Sequence, residues 1–517
     1  MRGQSEPAIL GLDWVPQDQW TWGAPGDFVL FGPDAGNWAA NARALMEGGE
    51  PDINRLPVFG LLTWLVSAWR DVDVVFGGHL VNHLAGLALG CVVYFLGREL
   101  GGRGVGLGAG LLTAASPWLI QAASLYGVDP SFGLTTALLF VATWLGVSRG
   151  WWAVPLTGLA IGLVMATHYL GILFPIPCAL ALALAEGDWK RRFGAPIMAL
   201  ATGWLSFRAL MWRYPAIGLD QIASVYSTGA ASGLDDQSVE ASSFGANALS
   251  IVGEALSSGL TLAVQQSLAP LRDAGLPWGP CLLLFWVGLV GFGLPPQRRS
   301  ARRWAVDWRT GLLLLALMAP LALLEAVRAP QRYRYYAQPL VFITVLRGLA
   351  SVLVTLERAL SHKLPATWPR WPLGLLAIVP VCWLGWALAE GGMRPQWTRG
   401  APADQGLHER LIGELVLSEF GAGGGIVTNS QVAAFHAERS RCSGPAPGQA
   451  TPAEAISQLR QRCLGRGALP YLVGVRSIDG YADITDEALD AYVAETFEAV
   501  GSVRGKDTTT TVYRIPR

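Results

Sequence analysis

Between residues 75 and 389 apolar residues fall into long runs parted by short polar stretches. Ten of these runs reach or approach the roughly 20 residues that carry a helix across the hydrocarbon core of a bilayer. They lie near 75–96, 104–125, 131–148, 151–167, 169–185, 194–212, 278–294, 311–327, 336–356 and 371–389. The pattern predicts a polytopic α-helical membrane protein of about ten spans. Only "ATHYLG" separates 151–167 from 169–185, so a break at His168 is expected.

The flanks read differently. Residues 1–74 open polar and Gly/Pro-rich, without a secretory signal pattern. Ala39, Ala42, Leu45 and Met46 then repeat at helical spacing and stop at Gly48-Gly49, which predicts a helix lying in the membrane interface. "RLPVFGLLTWLVSAW" is too short to span and predicts a second interfacial helix. Residues 390–517 alternate as a small soluble α/β domain. "GGGIVTNSQVAAFHA" reads as strand, turn and helix, and "ALPYLVGVRS" and "TTTTVYRIPR" as further strands. Thr451 and Glu454 have capping-box spacing at the start of another helix.

Composition sharpens this picture. Of the 517 residues 52% are hydrophobic and only 15% charged, where a soluble chain carries roughly a quarter charged residues. Net charge is zero, which argues against nucleic acid as a partner. Many of the 22 tryptophans stand beside the ends of apolar runs, as interfacial anchors do.

Positive charge sorts the connections. Arg98, Arg103, Arg149, Lys190, Arg191, Arg192, Arg298, Arg299, Arg302, Arg303, Arg309, Arg358, Lys363 and Arg370 form one set of 14, against five (Arg213, Arg272, Arg328, Arg332, Arg334) in the alternate set. The richer set is cytoplasmic by the positive-inside rule. Residues 1–74, the turn at Asp129, His168, the loop at 328–336 and the tail then share the outer face. Translocating 74 residues with no span ahead of them leads us to expect a further helix preceding Met1. Cys442 and Cys463, in the tail, are a candidate disulfide pair if that face is oxidising.

The outer face also carries the candidate chemistry. Asp34 stands ahead of the first interfacial helix, as a helix cap or as a working carboxylate. Asp129, in "SLYGVDPSFG", likewise either starts a helix or does chemistry. His168 is an interfacial side chain or a donor at a helix break. In "EAVRAPQRYRYYAQP", Arg328, Arg332 and Arg334 interleave with tyrosines on the side that charge bias disfavours, which suits phosphate recognition. No nucleotide-binding loop, Cys/His metal spacing or serine-hydrolase elbow is present.

In their order these features resemble the GT-C glycosyltransferases, in the bacterial branch of protein O-mannosyltransferases and aminoarabinose transferases. The resemblance rests on "PDAGNWAANARALMEGGEPDINRLPVFGLLTWLVSAW", on the stretch from "GGHLVNHLAG" to "LYGVDPSF", on "LTGLAIGLVMATHYLGILFPIP" and on "RYRYYAQPLVFI". It implies inverting transfer of a sugar from a polyprenyl-phosphate donor to a lipid, polysaccharide or protein acceptor outside the cytoplasmic membrane. It further implies Asp34 as general base, Asp129 as the second acidic position for acceptor or a divalent metal, and Arg332, Arg334 and His168 around the donor phosphate. Ala35 stands where many relatives carry Glu. The expected organisation is an outer N-terminal region (1–74), a GT-C-like bundle (75–389) and an outer α/β domain (390–517). The alternatives are a non-enzymatic lipid-sugar carrier or membrane scaffold, or a degenerate inactive member of the superfamily.

Overall fold

The structure, a computed structural model, describes residues 9–11, 35–48, 56–116, 119, 126–184, 189–212, 278–290, 310–311, 314–315, 317–318, 320, 338–361, 382, 402–428, 430–442, 450–463, 468–474, 487–504 and 509–516. A short strand β1 (Ile9–Gly11) comes first, followed by α1 (Ala35–Glu47) and α2 (Pro57–Arg70). The helices of the bundle are α3 (Val74–Gly101), α4 (Arg103–Ala114), α5 (Asp129–Arg149), α6 (Val154–Thr167), α7 (Pro175–Ala183), α8 (Trp189–Leu210), α9 (Trp278–Val290) and α10 (Gln338–Ser361). The tail contributes α11 (Pro402–Phe420), β2 (Gly425–Val427), α12 (Gln431–His436), β3 (Ser440–Cys442), α13 (Pro452–Arg462), β4 (Leu469–Val473), α14 (Glu487–Thr496), β5 (Glu498–Arg504) and β6 (Thr509–Ile515).

Among the described residues three helices are long and apolar enough to cross a membrane: Val74–Gly101, Asp129–Arg149 and Gln338–Leu356. Shorter apolar helices occupy Trp151–Thr167, Tyr169–Ala183 and Cys281–Val290. The expected span at 371–389 lies outside the described residues apart from Cys382, and the one at 311–327 is described only in pieces. Leu84, Leu87, Phe95, Leu107, Ile176 and Leu205 point outward and are exposed, as lipid-facing side chains are in a bundle whose solvent is hydrocarbon.

Where lipid is the solvent, helices gain little from burying leucine against leucine, and close backbone approach drives their packing. On α6 Gly158 and Gly162 face α8, where a Cβ on Gly158 would stand 2.7 Å from the Ala199 carbonyl and one on Gly162 2.6 Å from that of Gly203. A Cβ on Gly97 of α3 would come 2.9 Å from the Cα of Gly106 in α4. Between those two helices Gly102 makes the reversal at φ +93°, a conformation that side chains disfavour.

Contacts between helices mark the two ends of the bundle. Arg191, at the start of α8, donates to the carbonyls of Gly146 (3.1 Å) and Val147 (3.0 Å) in the last turn of α5, so these two basic connections meet at one end. At the other end Ser116, just past α4, donates to Gln338 Oε1 of α10 at 3.0 Å. Tyr126, just ahead of α5, donates there to the Val74 carbonyl at the start of α3.

The tail builds a six-stranded mixed sheet in the order β1-β5-β6-β4-β2-β3. Strand alternation divides its apolar residues between two faces. Ile426, Leu472, Val503 and Val512 pack on α11 and α12, and Val427, Leu469, Tyr471 and Ile515 on α13 and α14. The expected capping box forms, with Thr451 accepting from the Glu454 amide and Glu454 from the Thr451 amide. Cys442 and Cys463 are joined as a disulfide with Cα atoms 6.0 Å apart, closing β3 onto the end of α13.

The edge strand β1 comes from the N-terminal region, which the sequence reading set apart from the tail. It pairs in parallel with β5, Ile9 opposite Ser502. Residues 9–11 therefore belong to the sheet that the tail builds.

Candidate active site

Helix α1 begins at Ala35 and ends, as its sequence requires, at Gly48, which sits at φ +74°. Ala39, Ala42 and Leu45 face inward as expected, but Met46 is exposed, and Trp38 and Asn41 take its place on the buried face. This face is covered by α2, by α3 and by α12 of the tail, while Ala40, Met46 and Glu47 on the other face stay exposed. Helix α2 keeps the amphipathic form expected of it. Phe59, Thr63 and Ser67 point inward, while Leu62, Trp64, Leu65 and Trp69 form an exposed apolar stripe suited to lipid.

An aromatic row runs beneath α1. Trp38 meets Phe59 edge to face at 5.6 Å, Phe59 meets Tyr126 at 5.4 Å, and Tyr126 meets His79 at 5.5 Å. Burial pushes the Tyr126 phenol above its usual range, with the Thr63 side chain pulling the other way, so it stays a donor. Its ring lies so close to α3 that Gly78 has no room for a Cβ, which would fall 2.5 Å from Cζ. Asp73 caps α3 by accepting from the Val75 amide at 3.1 Å.

This row gathers the chain neighbours of the two expected carboxylates. Ala35, which follows Asp34 in the chain, and Val128, which precedes Asp129, belong to one buried cluster with Trp38, Phe59 and Tyr126. Asp129 is half-buried as the first residue of α5, and Val128 occupies the cap position. A carboxylate in the first helical turn is favoured by the helix dipole. Asp34, Arg332 and Arg334 lie outside the described residues, and Arg328 does too.

His168 is where the break was expected, extended between α6 and a 3-10 turn at Tyr169–Leu173. Its Nδ1 accepts from the Leu170 amide at 3.1 Å, and its ring stacks on Phe132 of α5 at 4.7 Å. An imidazole that accepts through Nδ1 holds its proton on Nε2, and a second proton would break that bond. In that tautomer Nε2–H is a donor one ring away from the first turn of α5.

Sequence reasoning passed over the buried polar residues of α1, α2 and α3: Asn41, Thr63, Ser67, His79 and Asn82. The signal was present in "GGHLVNHLAG", where helical spacing sets His79, Asn82 and His83 on one face of an apolar run, a costly placement that marks working residues. His83 Nδ1 lies 2.7 Å from the His79 carbonyl, one turn back on the same helix. Among the described residues no three His, Cys, Asp or Glu side chains come together as a metal site.

A bundle of packed apolar helices, with the pair α1 and α2 at one end and a sheet domain against α1, defines a multi-pass membrane protein. Residues 51–212 match the family model described as dolichyl-phosphate-mannose-protein mannosyltransferase. Beyond that stretch, the fold as a whole is shared with solved membrane proteins. It is similar to ArnT of Cupriavidus metallidurans, solved bound to undecaprenyl phosphate, at 13% identity and a TM-score of 0.53 over 94% of each chain. It is also similar to the oligosaccharyltransferase AglB of Archaeoglobus fulgidus, solved with an inhibitory peptide and a dolichol-phosphate. That match has 13% identity and a TM-score of 0.57, over 87% of this chain and 66% of that one. No curated protein sequence matches the chain.

Proposed function

We propose that the protein transfers a sugar, with inversion, from a polyprenyl-phosphate donor to an acceptor on the outer face of the cytoplasmic membrane. The observation that supports this reading is the shared cluster of Ala35 and Val128, the chain neighbours of Asp34 and Asp129, against one aromatic row in a fold similar to that of ArnT.

In this reading the acceptor's nucleophilic oxygen or nitrogen attacks the anomeric carbon from the side opposite the phosphate. Asp34 takes the proton that the nucleophile loses. The bond from the anomeric carbon to the phosphate oxygen breaks, and its electron pair leaves on the lipid phosphate. Asp34 later returns the proton to water. A lipid phosphate is already a good leaving group, so the chemistry asks for positive charge there rather than for an acid. Arg332 and Arg334 supply that charge, and His168 supplies at most a neutral Nε2–H bond. Asp129 orients the acceptor or holds a divalent metal; a metal bound there would neutralise charge on the donor phosphate.

The reading is tested with purified protein, a radiolabelled mannosyl polyprenyl phosphate as donor and an extract of the native cell envelope as acceptor. Label is expected to move into the extract, and Asp34→Asn is expected to lose about 100-fold or more of the rate. Full activity in Asp34→Asn sinks the assignment of the base.

A further inference from the structure

The tail touches the described stretches on either side of Asp34 in the chain. Upstream, Ile9–Gly11 is a strand of the tail's own sheet, paired with Ser502–Arg504. Downstream, α1 is gripped by α12. Val432 and Phe435 of α12 enter the same buried cluster as Ala35, Trp38, Ala39 and Ala42. Arg43, on the same helix and nine residues past Asp34, closes the grip. Its guanidinium lies 3.9 Å from the centre of the Phe435 ring, Nη1 donates to the Phe435 carbonyl at 3.3 Å, and Glu438 pairs with it at 4.0 Å.

Helix α12 is itself fixed. Ser430 caps it by accepting from the Ala433 amide at 2.8 Å, and the Thr428 hydroxyl accepts from the Ser430 amide at 3.0 Å. Behind it α11 comes so near that a Cβ on Gly413 would meet the Ala433 carbonyl at 2.7 Å. A short helix seated this firmly on a domain core works as a lever arm on whatever it holds, and what it holds is α1.

We infer that the tail positions α1 for catalysis, with Arg43 and Phe435 as the positioning residues through which the sheet domain fixes that helix. The inference rests on the reading of Asp34 as the base. A general base works only within hydrogen-bond reach of its proton, and a shift of about 1 Å costs about 100-fold in rate. Loosening the grip therefore lowers turnover and leaves the donor phosphate site, which involves other segments, intact.

The test uses the full-length protein in detergent with the mannosyl polyprenyl phosphate and envelope extract. Arg43→Met removes the ring contact, the carbonyl bond and the ion pair from a half-exposed side chain and is expected to fold. Phe435→Ala removes the ring, and Phe435→Tyr restores it. Arg514→Met is the matched control, since Arg514 lies 5.3 Å over Phe420 and 3.6 Å from Glu419, within the tail and away from α1. We expect Arg43→Met and Phe435→Ala to lower kcat by about 10- to 100-fold with donor KM within about twofold. Amide exchange in peptides covering 31–47 should quicken by about tenfold or more. Phe435→Tyr and Arg514→Met should match the wild type on both readouts.

Unchanged exchange in 31–47 overturns the inference, and so does an unchanged kcat. Asp34→Asn is run alongside. If it is inactive while Arg43→Met is fully active, the positioning role falls and the function stands. If Asp34→Asn is fully active, the base assignment falls; the tail's hold on α1 is then upheld or overturned by the exchange measurement, and its catalytic consequence by kcat.

Discussion

Gly78→Ala is a one-methyl perturbation whose consequence can be worked out from the packing of Tyr126. The new Cβ would lie 2.5 Å from Cζ and 2.8 Å from the hydroxyl, where carbon atoms in contact ordinarily stand about 3.5–4.0 Å apart. The ring must move outward by at least about 1 Å. It cannot turn aside freely, because Phe59 and His79 hold it edge to face from two directions. Overpacking of this kind costs about 1–3 kcal/mol. The hydroxyl also loses its 3.2 Å bond to the Val74 carbonyl, and a buried pair left unmade costs about 1–3 kcal/mol more. The gain of alanine over glycine in a helix returns about 1 kcal/mol, which leaves a net loss near 3 kcal/mol. Because Tyr126 leads through Gly127 and Val128 into Asp129, the displacement reaches the first turn of α5. The expected outcome is a thermal midpoint lowered by several degrees in detergent, with sugar transfer reduced further than the lost stability explains. Gly90→Ala is the control, since a Cβ there meets only ordinary contacts at 3.5 Å or more. A Gly78→Ala protein that matches the wild type in midpoint and rate refutes the reasoning.

Three further expectations concern the tail. Arg439 donates to the carbonyls of Phe420 (2.7 Å), Gly421 (3.0 Å) and Gly425 (3.1 Å), so Arg439→Met should cost about 3–5 kcal/mol, seen as early proteolysis of the tail. Cys442→Ser opens a bridge across a sequence separation of 21 and should cost about 2–4 kcal/mol, with wild-type protein in reductant behaving alike. Burial, with Arg410 and Arg43 nearby, holds the His436 imidazole down to about 4. The folded protein thus stays neutral there while the unfolded chain takes up a proton below its ordinary 6.5. Stability from this group is complete above about pH 6.5 and is lost as pH falls toward 4, about 2 kcal/mol of it by pH 5. Denaturant midpoints at the two pH values check this, and His436→Gln should flatten the difference.

How far the sequence foretold the structure depends on whether the cause was local. The stop of α1 at Gly48, the break at His168, the Thr451 capping box and the strands β2, β4 and β6 follow from residues within a turn or two of each other. Helix α2 was readable because one face is apolar toward the core and the other toward lipid. β1 was not readable: three residues have no periodicity, and their partner lies at Ser502–Arg504. β5, mostly half-buried or exposed along its length, lacks the apolar alternation that would mark it. The burial of Trp38, and hence the orientation of α1, depends on Phe59 of α2 and on α12 almost four hundred residues away. The two acidic positions were named from order and sidedness alone, and nothing local says that their flanks pack on one aromatic row. The pair His79 and Asn82 was visible as polar spacing within an apolar run, but the run's length drew the reading to a span.

The central claim is that the chain consumes a polyprenyl-phosphate sugar and that Asp34 is needed to do so. It is tested most directly by lipid mass spectrometry on a deletion strain complemented with the wild-type chain or with Asp34→Asn. The account predicts that a polyprenyl-phosphate sugar accumulates in the deletion, that the wild type clears it and that Asp34→Asn does not, the accumulated mass naming the sugar. Clearance by both versions would contradict it.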